Sequence, residues 1–195
     1  MTEPGQITTY LERLRQGDNE ALDKLIPLVY AELRALAQSQ LNFERTGHTL
    51  SATGLVHEVY VRLTKQQKIR AEDRLQFLGI AGTTMRRVLV DWARGKRRAK
   101  RGGGVPNLPL DELDGLVGEE DAAEVLALDE ALDRLAAANP RGAKVVEQRF
   151  FAGLSVEETA ALLGVSERTI KRDWFVARAW LRKEVGDALD RKSVV

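Results

Sequence analysis

Apolar residues recur along this chain at three- and four-residue intervals, and no stretch alternates in the manner of a strand. Ile7, Tyr10, Leu11 and Leu14 form a first short stripe, which Gly17 ends. Asp18 or Asn19 suits the cap of a longer helix carried by Leu22, Leu25, Ile26, Val29, Tyr30, Leu33, Leu36 and Ala37. Pro27 inside that pattern predicts a bend or a helix start near it. A loop around Thr46-Gly47-His48 then precedes a third helix, whose inner face is Leu55, Val56, Val59, Tyr60 and Leu63. A fourth helical stretch runs from Asp73 to Arg98, in one piece or two.

The pattern then breaks. Arg101-Gly102-Gly103-Gly104-Val105-Pro106 stops any helix, because glycine lowers helix propensity and Pro106 pushes Val105 out of the α region. Up to about Ala122 the chain is acidic and has little periodicity. Helical patterning returns with Val125, Leu126, Leu128, Leu132 and Leu135, stops at Asn139-Pro140 and returns again at Val145. The expected architecture is all-α: a helical bundle over residues 5–100, a Gly- and acid-rich linker over 101–124, and a second helical domain over 125–190. No internal repeat is visible.

Composition narrows the function classes. With 195 residues, 44% of them hydrophobic and 30% charged, the chain can bury a core and is not disordered throughout. It has no cysteine, which excludes disulfides, thiolate zinc sites and thiol catalysis. No apolar run is long enough to span a membrane, and the first residues lack the layout of a secretory signal, so a cytoplasmic protein without a membrane partner is expected.

Lys+Arg (30) and Asp+Glu (29) nearly cancel, but their distribution is uneven. Residues 86–101 carry Arg86, Arg87, Arg94, Lys96, Arg97, Arg98, Lys100 and Arg101 against the single acid Asp91. Residues 111–133 carry Asp111, Glu112, Asp114, Glu119, Glu120, Asp121, Glu124, Asp129, Glu130 and Asp133 with no base. Blocks of this kind set up strong local fields of opposite sign. Trp92 among the cations suits phosphate contact combined with base stacking, the chemistry of single-strand binding. A solvated helix end is the plainer alternative for the same block.

The most specific local motif runs from Leu154 to Arg172. Ser155 and Glu158 form an S-x-x-E capping box, Ala160 is small where two helices must cross, and Gly164 suits a left-handed helix end. Val165 plugs the turn, Ser166 caps a second helix, and Ile170, Trp174 and Val176 face inward. This is the punctuation of a DNA-binding helix-turn-helix. Ser166, Glu167, Arg168, Thr169, Lys171 and Arg172 lie at the start of its second helix, where Arg and Lys can donate to guanine O6 and N7.

Taken together, Gly54 to Leu63 (GLVHEVYVRL), Phe77 to Ala81, the run Met85 to Arg94 (MRRVLVDWAR) and the helix-turn-helix resemble the extracytoplasmic-function (ECF) group of bacterial RNA polymerase sigma factors. The run and the KRGGG that follows are similar to one subgroup in particular. The resemblance implies two helical domains and no covalent chemistry, hence no enzyme, no cofactor and no metal. It implies that core RNA polymerase and promoter DNA are the partners. Leu55, Glu58, Val59 and Arg62 on the third helix would dock on polymerase. Arg86, Arg87, Asp91, Trp92, Arg94, Lys96, Arg97, Arg98 and Lys100 would meet and melt the −10 element, and the helix-turn-helix would read the −35 duplex. The acidic linker would either enter a basic nucleic-acid channel of the polymerase or serve only as a solvated spacer. It could also compete for the chain's own basic surfaces, which with a net charge near zero predicts poor DNA binding by the free protein.

One departure points to regulation. Relatives carry an acidic cluster before the third helix, where this chain has Ser51-Ala52-Thr53-Gly54. Phosphorylating Thr53, or Ser51, would restore negative charge at a helix N-terminus, where anions are favoured. A Ser/Thr kinase is one partner this suggests; the plainer alternative is that Ser51 is only a helix N-cap and other contacts hold the polymerase. An anti-sigma factor is common in the group, and these residues neither require nor exclude one.

Other classes fit less well. His57-Glu58 opens like the zinc motif H-E-x-x-H, but Val61 stands where the second histidine belongs and His48 is the only other histidine. A regulator that binds duplex operator without joining polymerase would explain the helix-turn-helix, but not the basic aromatic helix or the acidic segment. A purely helical adaptor would tolerate loss of Arg168 and Arg172, which a promoter reader would not.

Overall fold

The computed structural model describes residues 4–41, 52–66, 69–100 and 119–193. Among the described residues the chain is all-α, with helices α1 (Pro4–Arg15), α2 (Glu20–Leu41), α3 (Ala52–Thr64), α4 (Arg74–Lys100), α5 (Glu119–Ala138), α6 (Pro140–Val146), α7 (Val156–Leu163) and α8 (Glu167–Ser193). A five-residue π-helical turn, Glu147–Phe151, follows α6.

Local chemistry sets the ends of the first helices. Gly17 takes φ +93° after α1, a conformation that favours glycine. Asp18 Oδ1 then accepts from the Glu20 amide at 3.1 Å and opens α2. α2 runs unbroken through Pro27, whose position on the exposed side lets water solvate the carbonyl left without a donor. Asp73 caps α4 by accepting from the Gln76 amide at 2.8 Å, and α4 is a single helix.

Several boundaries differ from the sequence expectation. α3 starts at Ala52, ahead of the inner-face residue Leu55, and the buried Ala52 anchors that first turn. α6 starts at once after Asn139, whose side chain accepts from Gly142 N at 2.9 Å while Pro140 supplies a preset φ at the first helical position. α5 begins at Glu119, inside the segment expected to be linker. Ala122 and Leu126 lie one turn apart and are both buried, and that apolar edge carries the acidic stretch as a helix. Thr46-Gly47-His48, Ser51 and residues 101–118 lie outside the described residues.

α1 packs on α2, α2 on α3 and α3 on α4, around a core that includes Leu11, Leu25, Leu33, Leu55, Phe77 and Met85. α5, α6 and α8 enclose Leu132, Leu135, Val146, Ala177 and Leu181, and α7 crosses α8. These two groups of helices are in contact. Ala122, Leu126, Ala152 and Leu154 belong to the same apolar cluster as the α1–α4 core, and α5 lies along α4.

Candidate nucleic-acid interface

The α7–α8 pair has the geometry of a helix-turn-helix. Ser155 Oγ accepts from the Glu158 amide at 3.0 Å, and a Glu158 carboxylate oxygen accepts from the Ser155 amide at 2.9 Å, completing the capping box. Gly164 closes α7 in the left-handed region at φ +64°. Ala160 and Ile170 are buried together with Val145, and Val156, Leu163, Val165 and Trp174 pack around them. Ser166 Oγ accepts from the Thr169 amide at 3.3 Å and opens α8.

Arg168, Lys171 and Arg172 are exposed along the first two turns of α8. Lys171 reaches back to Glu167 at 3.3 Å, a surface pair that costs little to break. Arg172 makes only long contacts, 3.4 Å, to Asp173. Asp173 itself is buried and bound by Arg141 of α6 at 2.5 Å. The hydrogen bonds from Arg141 hold its carboxyl below the usual carboxylate range, and the same contact raises the Arg141 guanidinium. This pair fixes the roll of α8 about its axis, and with it the direction of the exposed cations.

Two positions on α8 were missed or misjudged. Val176, expected to face inward, is exposed, and Asp173 and Ala177 take that side, because 170, 173, 174, 177 and 181 form the three-four stripe and 176 lies off it. Phe175 is 75% exposed one turn beyond Lys171 and Arg172. The same spacing could have placed it among the cations.

The basic helix α4 is less open than its sequence suggests. Arg87, Arg97 and Arg98 are exposed. Arg86, by contrast, is paired with Asp129 at 2.6 Å, with Asp133 at 3.3 Å and with Glu147 at 3.6 Å. Arg94 reaches Asp129 at 3.3 Å, and Asp91 is held at 2.8 Å by Arg62 of α3. Trp92, expected to be a stacking platform, is only 6% exposed, with Lys96 5.1 Å over its ring and its indole N–H without a hydrogen-bond partner. Met85, Val88 and Trp92 form one buried stripe, so the ring packs the bundle. The Lys100 side chain lies outside the described ones.

On α3, Leu55 and Val59 are fully buried, so they anchor the helix and offer no surface to a partner. Glu58 is spanned by Arg62 at 3.1 Å, which joins α3 to α4 through Asp91. Tyr60 donates to Asp23 at 2.6 Å, which raises the phenol pKa. Exposed on this helix are Thr53 and His57. The Thr53 hydroxyl lies 3.5 Å from the Tyr30 hydroxyl, in the first turn of α3 and not ahead of it.

Among the described residues no group of His, Cys, Asp and Glu is arranged to hold a metal, and no helix is long and apolar enough to cross a membrane. A family model described as ECF sigma factor matches residues 4–187, nearly the whole chain. No curated protein and no solved structure matches it.

Proposed function

Because the chain belongs to the ECF sigma factor family, whose members are transcription initiation factors acting with RNA polymerase, we propose that it binds core polymerase and directs it to a small set of promoters. The observation that carries this reading is the combination, in one chain, of a capped helix-turn-helix with outward cations and a second basic helix distant from it in sequence. The two divide the work. α8 reads duplex at the −35 element through Arg168, Lys171 and Arg172, with Ser166, Glu167 and Thr169 beside them, by groove and phosphate contacts. α4 holds the unpaired strand at the −10 element.

Melting needs a surface that binds unpaired bases better than paired ones, since exposing each base costs a few kcal/mol. Arg87, Arg97 and Arg98 supply phosphate contact from the surface of α4. The exposed side of α3 and the rim formed by Glu58, Arg62 and Asp91 face polymerase, with Leu55 and Val59 acting from beneath as anchors.

Thr53 is the regulatory position in this reading. Its exposed hydroxyl in the first turn of α3 is open to a Ser/Thr kinase, and a phosphate there would lie at the positive end of the helix. An anti-sigma factor acting on the same surfaces is the other form of control.

The test is run-off transcription with purified core polymerase on a panel of promoter fragments. Transcripts that require both the chain and core polymerase support the reading. A duplex shift by the chain alone, with no transcript, would instead mark an operator-binding regulator. Equal polymerase affinity of Thr53→Ala, Thr53→Glu and phosphorylated protein would remove the kinase step.

A further inference from the structure

We propose that Asp91 is a positioning residue: through Arg62 it fixes α4 to α3, so that strand opening at the −10 element depends on it although its charge opposes a strand. The inference rests on the reading of α3 as the polymerase-docking helix and α4 as the strand-binding helix. It adds the part that joins the two.

Arg87, Asp91, Arg94 and Arg98 recur at three- and four-residue intervals, and therefore share one side of α4. Three of the four are exposed cations, and the acid stands between them. A carboxylate in that place repels a polyanionic strand. A helix whose only task was phosphate contact would gain by losing it.

The carboxylate is engaged elsewhere. Arg62 Nη1 of α3 donates to Asp91 at 2.8 Å, and Nε of the same guanidinium donates to Glu58 at 3.1 Å. One planar fork thus spans two carboxylates on two helices, a geometry open to arginine and not to lysine. Glu58 is 14% exposed and Asp91 46%, so Glu58 is the sheltered arm that holds Arg62 in place, and Asp91 is the arm that reaches α4. The position along α4 matters as well. Trp92 and Ala93 are the last buried residues of α4 among the described ones, and Arg94, Gly95, Lys96, Arg97 and Arg98 beyond them are not buried. Asp91 is therefore held at the turn where the helix leaves the core and its cationic end begins.

Two accounts of Asp91 predict opposite signs. As an acid standing among cations and nothing more, it would weaken strand binding, and Asp91→Asn would remove a repulsion and strengthen it. As a positioning residue it aims the cationic end of α4 relative to the docked α3. Asp91→Asn then frees one prong of the Arg62 fork, and opening falls because the cations no longer meet the strand in register.

The test uses the full chain with saturating core RNA polymerase, on a promoter fragment that the parent transcribes, with 2-aminopurine in the −10 element reporting unpaired bases. Asp91→Asn is expected to slow opening by about tenfold. Asp91→Glu, which keeps the charge within reach of Arg62, should restore most of it. Arg62→Gln should also slow opening, and the double variant with Asp91→Asn should be no slower than Arg62→Gln alone, because both substitutions break the same contact. Opening that is unchanged or faster in Asp91→Asn overturns the proposal, as does a double variant whose loss is the product of the single losses. Opening that falls only in step with the thermal midpoint overturns it too. Should Arg62→Gln not fold, the comparison of Asp91→Asn with Asp91→Glu decides alone, at a side chain that is 46% exposed. Failure of the underlying reading looks different: the parent itself would give no transcript with core polymerase.

Discussion

Arg86 and Asp129, 43 positions apart in the chain, meet at 2.6 Å with only 14% of either side chain exposed. This is the point where the basic block and the acidic block of the sequence find each other. Out of water the attraction is stronger than at a surface, and so is the cost of leaving either charge alone. Asp133 also touches Arg86, at 3.3 Å, but is 77% exposed.

The difference in burial gives a direct comparison. Asp129→Ala should destabilise the chain by about 1–3 kcal/mol, since it leaves a largely buried guanidinium short of its nearest partner. Asp133→Ala should cost about 0.5 kcal/mol or less. Urea unfolding monitored by helix content reads both. Equal effects would mean that the pair is solvated in solution.

Much of this fold is legible in the residues because much of it is local. Ser155, Glu158 and Gly164 announce the ends of α7 through chemistry that acts within four residues, and the capping box and left-handed glycine stand where that chemistry puts them. Contacts between distant segments are not legible in this way. Asp129 reads as one more acid of the block over 111–133 until α5 is seen to lie on α4, because nothing near it in sequence names Arg86 as its partner. Trp92 fails for another reason: cations on both sides suggested a stacking surface, whereas its spacing from Met85 and Val88 places it in the core. Leu55 and Val59 illustrate the same limit. A motif shared with a family marks residues that matter, but it does not separate those that touch a partner from those that hold the touching surface in place.

That separation can be measured on α3. Leu55→Ala should lower stability by about 2–5 kcal/mol, as expected for a fully buried leucine. Exposed His57→Ala should change it by about 0.5 kcal/mol or less. Loss of polymerase binding in Leu55→Ala should follow the thermal unfolding curve, whereas any loss in His57→Ala should occur with the fold intact. Circular dichroism melts alongside polymerase pull-down decide the matter.

The turn of the helix-turn-helix should respond to both of its caps. Ser155→Ala removes the acceptor for the Glu158 amide and should cost about 1 kcal/mol. Gly164→Ala places a side chain at φ +64° and should cost about 1–2 kcal/mol. Open space around Gly164 means that the penalty is conformational and not steric. Hydrogen exchange at the amides of α7 should rise in both variants.

The Asp173–Arg141 pair predicts a pH dependence with a definite sign. The folded carboxyl titrates below its unfolded value because Arg141 bonds to the charged form. The unfolded chain therefore takes up the proton first as pH falls. Stability from this pair is complete above the ordinary carboxylate value and is lost as pH drops through the lower folded value. Thermal midpoints followed from about pH 6 to about pH 3 should fall more steeply for the parent chain than for Asp173→Asn. Parallel curves would show that the pair does not survive in solution.

Arg168 provides the sharpest test of duplex reading. It is exposed on the first turn of α8, and no described acid pairs with it, so it meets DNA without first giving up a partner. Lys171 must leave Glu167, and Arg172 lies partly against Asp173. Arg168→Ala should therefore cost about 1–3 kcal/mol of promoter affinity for the polymerase complex and relax the preference at one base pair of the −35 element. Lys171→Ala should weaken all promoters alike and reduce the salt dependence by about one phosphate contact. Transcription from a −35 substitution library at two salt concentrations separates these outcomes. A uniform loss in Arg168→Ala would assign that residue to the phosphate backbone instead.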